Sequence, residues 1–347
     1  MTSAFAQVSS VTTPPPPPIG GWLEPPAGLV SHTLMMMPSQ SWLPPRRFFT
    51  FAVVLLYFPL MPIRELKLAR RSLRYGERTL VMGVLNVTPD SFSDGGQFFS
   101  ADDAVAHANQ MIDEGADIID IGGESTRPRS EFVSEEEELR RVIPVIERLA
   151  AKVSVPISID TTKAAVARAA LRAGAEIVND ISGLRFEAAI ADEAAEARAG
   201  LVLMHSRGTP KDMQQLPPVA DIMSEVINGL RESVAVAVQH GVAREAIVID
   251  PGIGFGKTVA QNCELIAKLD ELARAFPDLP IMIGTSRKSF IGKLLEGAPA
   301  DQRLYGTIAS VVASVMNGAH IVRVHEVKAT LEALRVANAI KATRSHS

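Results

Sequence analysis

From position 79 onward one pattern repeats along the chain. An apolar run of five to seven residues ends in one or two polar residues, and an Ala-rich amphipathic stretch follows. The runs occupy 79–86, 117–122, 156–160, 176–180, 200–205, 246–250, 280–286 and 320–325. Short, nearly continuous apolar runs predict strands buried on both faces, as in a parallel sheet covered by helices. The intervening stretches carry helix start signals. Ser100-Ala-Asp-Asp103 and Ser134-Glu-Glu-Glu137 have capping-box spacing, so residues 135–138 read as the acidic first turn of a solvated helix and not as a metal site. The first run turns abruptly polar at Asn86, and turn residues follow it at Thr88-Pro89-Asp90 and Asp94-Gly95-Gly96, with Phe92 on the loop between them.

Eight strand-then-helix units over about 270 residues match the (β/α)8 TIM barrel in count and size. An open doubly wound sheet is the competing arrangement. It places a glycine-rich fingerprint after its first strand, and residues 83–96 have none. The expected fold class is therefore α/β, a (β/α)8 barrel over residues 63–347. Strand C-termini converge on one face of such a barrel, so the polar residues that end the runs are expected to share one bowl.

Residues 1–62 break the pattern. Pro14 to Pro18 form a polyproline run, Met35-Met36-Met37 follows, and an apolar stretch covers 48–61. That stretch of about 14 residues is short for a membrane span of roughly 20, and no small-x-small cleavage site follows it. Residues 1–62 are expected to be a low-complexity, disordered lead, or upstream sequence read from too early a start with Met61 as the true one. A targeting or membrane-associating segment is the alternative.

Composition narrows the class further. Hydrophobic residues make up 47% and aromatics 5%, so the core must be aliphatic. A net charge of −4 argues against nucleic acid as a main partner. The single cysteine, Cys263, excludes an internal disulfide, and no Cys/His cluster has zinc spacing. A reducing compartment, the cytoplasm, is expected, with no membrane partner.

The candidate chemistry lies at the ends of the runs: Asn86, Asp160, Asn179, Asp250, Lys288, Arg323 and His325, with Glu124-Ser-Thr-Arg127 on the second loop. A lone Asp at a strand end is readily explained as a helix cap, but seven polar residues at corresponding positions are not. Asp160, Asn179, Asp250 and Lys288 offer the acceptors and donors that the edge of a planar heterocycle requires. Arg127, Arg323 and His325 suit a phosphate or diphosphate. Asn86 offers an oxygen to Mg²⁺, which takes few protein ligands. Asp250-Pro-Gly-Ile-Gly-Phe-Gly-Lys257 lacks the spacing of a phosphate loop, and reads as a tight loop that brings backbone and Phe255 close to a flat ligand. Ser286-Arg-Lys-Ser289 opens a helix whose hydroxyls and amides could hold a carboxylate; a capping serine with solvated basic neighbours is the plainer account. His205 reads as a satisfied core or rim histidine.

Several blocks together resemble the dihydropteroate synthase family. They are Asn86-Val-Thr-Pro-Asp-Ser-Phe-Ser-Asp-Gly-Gly96, Asp120-Ile-Gly-Gly-Glu-Ser-Thr-Arg-Pro128, Ser158-Ile-Asp-Thr161, Val178-Asn-Asp-Ile181, Asp250-Pro-Gly-Ile-Gly-Phe-Gly-Lys257, Ser286-Arg-Lys-Ser289 and Arg323-Val-His325. The resemblance implies a transferase of folate biosynthesis, commonly a homodimer. It would join 6-hydroxymethyl-7,8-dihydropterin pyrophosphate to p-aminobenzoate and be inhibited by sulfonamides. It implies pterin contacts from Asp160, Asn179, Asp250 and Lys288, and diphosphate contacts from Arg127, Arg323 and His325, with Asn86 acting through Mg²⁺. It assigns the aminobenzoate to Thr126, Pro128, Phe255, Lys288 and Ser289. It also implies mobile first and second loops over 87–99 and 123–133. Arg129 departs from the family's usual glycine, and His205-Ser-Arg-Gly208 departs from its usual block. Two other readings remain: a pterin-binding barrel that moves a methyl group to a corrinoid protein, which needs no Arg127, Arg323 and His325 set, and a pterin-binding regulator without catalysis.

Overall fold

The structure, a computed structural model, describes residues 64–88, 101–125, 132–209, 212–213 and 215–344. The proline-rich lead, Ser100, Phe92 and Arg129 lie outside these residues. A short antiparallel hairpin opens the described chain: β1 (Arg64–Lys67) pairs with β2 (Ser72–Tyr75), Arg64 opposite Tyr75. Parallel strands follow at β3 (Leu80–Asn86), β4 (Ile118–Gly122), β5 (Ile157–Asp160), β6 (Ile177–Asp180), β7 (Gly200–Met204), β8 (Ile247–Asp250), β9 (Met282–Ile283) and β10 (Ile321–Val324). Each lies inside one of the eight apolar runs of the sequence.

These strands form one sheet in the order β8-β7-β6-β5-β4-β3-β10-β9, and a parallel bridge between Ile249 and Ile281 joins its two ends. The seam is thin because β9 is only two residues long, against the seven of run 280–286. Pro280 has no N–H to give the ladder, and the amides of His320 and Ile321 both turn to the Ile281 carbonyl, at 2.9 and 3.1 Å. The outer ring is α1 (Ala101–Asp113), α2 (Glu135–Ala150), α3 (Ala164–Ala173), α4 (Ala189–Ala197), α5 (Ile222–Gln239), α6 (Val259–Ala267), α7 (Leu269–Ala275), α8 (Ser289–Leu294), α9 (Leu304–Met316) and α10 (Val327–Arg344).

Two cores explain why the runs are continuously apolar. Outward residues such as Val81, Ile119, Ile159, Leu201, Ile249 and Val322 pack with the helices in the larger core. Their inward neighbours Leu80, Ile118, Ile177, Val202, Val248 and Ile321 fill the barrel instead. The hairpin closes that inner core from below with Leu66, Leu68 and Tyr75, and each fully buried aliphatic side chain contributes about 1.5–3 kcal/mol. Nothing in the sequence pattern had suggested this plug. Inward positions nearer the strand C-termini are polar, so the barrel changes from hydrocarbon to charge along its axis.

Candidate active site

Strand pairing builds the floor of the mouth. Asn86, Gly122, Asp160 and Asn179 are Cα partners across four adjacent strands. A Cβ added to Gly122 would lie 3.8 Å from Oδ2 of Asp160 and 3.9 Å from Oδ1 of Asn86, so the bare glycine leaves space between these two oxygens. Two residues below Gly122 on β4 is Asp120, fully buried. Its Oδ2 accepts from Nδ2 of Asn179 at 3.1 Å and from Nε of Arg323 at 2.6 Å. Nη2 of the same guanidinium donates to Oδ2 of Asp160 at 2.7 Å.

Arg323 is thus clamped between two carboxylates. Burial works against its charge, but Asp120 and Asp160 outweigh that and hold it more firmly protonated than an ordinary arginine. Asp160 moves the other way, pushed up to about 7: burial raises it, Arg323 opposes, and Asp120 adds to the rise. Asp250 is also raised by burial, with Lys288 opposing, and its Oδ1 accepts from the Gly252 amide at 2.7 Å. Lys288 is pushed down to about 8 by burial, against the attraction of Asp250. Its ammonium donates to the Ile253 carbonyl and lies 4.6 Å from the centroid of the Phe255 ring. Gly284 keeps open the space beside two cations, since a Cβ there would sit 3.9 Å from Nζ of Lys288 and 3.7 Å from Cβ of Arg323.

Some acceptors in this floor are left over. Oδ1 of Asp120 and Oδ1 of Asn179 are buried without a hydrogen-bond partner among the described residues. An orphaned buried acceptor costs about 1–3 kcal/mol, so the floor is built for donors it does not itself supply.

The loop after β8 is tight, as its glycines suggested. Gly252, Gly254 and Gly256 have φ of 68°, 88° and 69°, and a Cβ on Gly252 would overlap the His205 carbonyl. Lys257 is buried beneath the loop and donates to the carbonyls of His205, Gly252 and Phe255 at 3.2, 2.9 and 3.0 Å. It clamps the loop that carries Phe255. His205 is buried, but Nδ1 has no partner among the described residues, so the expectation of a satisfied ring is corrected there. Burial, reinforced by Lys257, pushes its pKa down to about 2, and the ring is neutral.

The structure gathers most of the sequence-predicted residues. Asn86, Asp160, Asn179, Asp250, Phe255, Lys288 and Arg323 line the floor and its edge; Ser289 opens α8, and His325 follows β10. Thr126, Arg127 and Pro128 lie outside the described residues. Of the expected basic set, Arg323 turns down onto Asp120 and Asp160, and Nδ1 of His325 lies 2.9 Å from the Ser286 hydroxyl; Arg127 lies outside the described residues. Sequence reasoning missed Asp120 as a floor residue. Its signal was a charge in the middle of an apolar run, which a buried strand tolerates only with partners.

A second correction concerns the acidic first turn of α2. Ser134 caps it, accepting from the Glu137 amide at 3.2 Å, but Glu138 is not solvated: it is 1% exposed. Nζ of Lys163 is 2.5 Å from both Glu138 and Glu124, and Glu124 also accepts from the Val133 amide at 3.3 Å. These charges fasten both described ends of the second loop to the barrel.

The Pterin binding enzyme family model matches residues 82–325. A dihydropteroate synthase of Synechocystis is 50% identical over 266 residues, covering 77% of this chain and 91% of that protein. The Yersinia pestis dihydropteroate synthase in a sulfonamide drug complex superposes with a TM-score of 0.75 at 44% identity, over 80% of this chain and 99% of that one. The Burkholderia cenocepacia dihydropteroate synthase, complexed with 7,8-dihydropteroate, does so with a TM-score of 0.73 at 42% identity, over 82% and 99%.

Proposed function

The chain belongs to the pterin binding enzyme family, and from that premise we propose how its barrel mouth performs the dihydropteroate synthase reaction. It is a transferase of folate biosynthesis: it joins 6-hydroxymethyl-7,8-dihydropterin pyrophosphate to p-aminobenzoate, giving 7,8-dihydropteroate and pyrophosphate. The same site makes it a sulfonamide target.

The observation that carries the site assignment is the set of buried acceptors in the floor. The unpartnered oxygens of Asp120 and Asn179 lie beside the carboxylate of Asp160. An amino-pyrimidinone edge presents the N–H donors this set lacks, so Asp160, Asn179 and Asp250 bind the pterin while Lys288 donates to it. Arg323 uses two of its five donors on Asp120 and Asp160, and in this assignment directs others toward the diphosphate together with His325 and Arg127. Phe255, Lys288 and Ser289 hold the aminobenzoate, joined by Thr126 and Pro128.

As the methylene C–O bond breaks, positive charge grows on the carbon and negative charge on the leaving diphosphate. The carboxylate of Asp160 stabilises the first, and Arg323 and His325 stabilise the second. The arylamine nitrogen forms the new C–N bond and then sheds a proton, with no covalent enzyme intermediate. Asn86 is a partly buried residue at a strand tip, and its amide oxygen, which lies 3.9 Å from a Cβ built on Gly122, suits Mg²⁺, an ion that keeps most of its waters. Bound there, it supplies charge neutralisation of the departing diphosphate.

The reading includes a homodimer in the cytoplasm. Leu294, Leu295 and Tyr305, 56%, 43% and 86% exposed, offer an apolar patch at the end of α8 and the start of α9 that supports self-association. No helix among the described residues is long and apolar enough to cross a membrane. The test is to incubate the full chain with both substrates and Mg²⁺, following dihydropteroate by mass and pyrophosphate by release. Both products should form only in the complete mixture. Failure of either product to form would overturn the assignment.

A further inference from the structure

Lys288 and Ser289 reach the mouth through a turn that the chain must be forced to make. Arg287 has φ of 58°, in the left-handed region that side chains other than glycine avoid. Contacts from α9 and from the end of β10 hold it there. The Arg287 amide donates to Oγ1 of Thr307 on α9 at 3.1 Å, and its carbonyl accepts from Nη1 of Arg303, just before α9, at 2.8 Å. Its guanidinium is paired with Glu326, which follows β10.

The same carboxylate serves a second purpose. Oε2 of Glu326 accepts from the Ser286 hydroxyl at 3.3 Å, and Oγ of Ser286 is in turn 2.9 Å from Nδ1 of His325 and accepts from the His325 amide at 3.3 Å. One side chain therefore restrains the turn before α8 and, through Ser286, the ring of His325. A partly exposed ion pair gives little stability by itself, and the side chains of Arg287 and Glu326 are 38% and 23% exposed. What this pair supplies is geometry.

We propose that Glu326 is a positioning residue that sets the aminobenzoate and diphosphate subsites together, through Arg287 to Ser289 at the start of α8 and through Ser286 to His325. The proposal rests on the ligand roles given to those residues above. It explains why a residue outside the ligand contacts should matter to two ligands and not to the third. The pterin floor on β4, β5, β6 and β8 is not among its partners, and Lys288, which serves the pterin as well, has its ammonium held separately by the Ile253 carbonyl.

The test uses the full chain with Mg²⁺ and reads three quantities: the Kd of inorganic pyrophosphate, the KM of p-aminobenzoate and the Kd of 6-hydroxymethylpterin. Glu326→Gln should raise the first two by about tenfold, the scale expected when positioning is lost. The third should move less, staying within about twofold, because Lys288 is the one pterin contact beside this turn and its ammonium is held by the Ile253 carbonyl. Thr307→Val removes only the acceptor of the Arg287 amide and leaves the ion pair intact. It should raise the aminobenzoate KM alone, and it supplies a test even if Glu326→Gln does not fold. Adding Arg287→Gly to Glu326→Gln should restore the aminobenzoate KM, because glycine adopts this φ without strain, and should leave pyrophosphate binding weak.

The proposal is overturned if Glu326→Gln changes none of the three, only one, or all three alike, or if Thr307→Val leaves the aminobenzoate KM unchanged. A wild-type chain that neither binds pyrophosphate nor uses aminobenzoate overturns the preceding assignment instead.

Discussion

At the N-terminal end of the barrel, Leu80, Ile118, Ile177 and Ile321 meet Leu66 and Tyr75 of the hairpin in a dry cluster. At the C-terminal end the strands of the same barrel present Asp120, Asp160, Asn179 and Arg323, joined by hydrogen bonds of 2.6 to 3.1 Å. The lower end is stabilised by area removed from water, a non-directional term that needs only apolar atoms of about the right size. The upper end removes charges from water, which costs free energy unless each finds partners, and Oδ1 of Asp120 and of Asn179 have none among the described residues. The difference separates what holds the barrel together from what it uses on its ligands.

The largest effect should come from the upper end. Arg323→Ala leaves Asp120 and Asp160 buried together without their shared cation, and loss of one partner from such a set costs about 3–5 kcal/mol. It also removes the opposing charge on Asp160, whose pKa rises further. Steady-state kinetics should show kcat/KM lower by about 10²- to 10³-fold, each factor of ten being about 1.4 kcal/mol. A loss under tenfold would mean that the clamp is not part of the machinery.

Leu66→Ala should act on the other end alone. A buried Leu→Ala change costs about 2–5 kcal/mol, so urea melts should shift by that amount while kcat per folded molecule is unchanged. If kcat fell with stability, the two ends would not be separable.

The smallest effect should be the pH response. Asp160 at about 7 must be ionised and Lys288 at about 8 must be protonated, so kcat/KM should rise through pH 7 and fall above pH 8. The signs for stability are opposite to those for activity. A carboxyl raised from 3.8 to about 7 contributes stability in full below 3.8, and this is lost as pH rises through 7. An ammonium lowered from 10.5 to about 8 contributes stability in full above 10.5, and this is lost as pH falls through 8. Both groups are therefore costly where the enzyme works. Asp160→Asn should raise the Tm at pH 8 and remove the rise through pH 7 from whatever activity is left, and a lower Tm would contradict this account.

How much of this could be read in advance depended on the kind of signal. The strands were legible because burial on both faces makes an apolar run, and all but β9 keep nearly the predicted length. Asn86, Asp160, Asn179 and Asp250 were legible because they end those runs. Asp120 was not, since it lies inside a run and differs from a core residue only in its partners. Glu138 misled for the opposite reason: its place in an acidic first turn suggested water, and only the approach of Lys163 from the end of β5 makes it a buried ion.

The sequence by itself determined the eight-strand periodicity, the polar ends of the runs and the glycines of residues 250–257, because each is a local consequence of burial or backbone freedom. Only the tertiary structure decided that Arg323 lies between Asp120 and Asp160, that the hairpin closes the lower end, and that Glu326 joins Arg287 to His325. Those pairings depend on strand register and barrel closure, which bring together residues tens to hundreds of positions apart and leave no periodic trace in the chain.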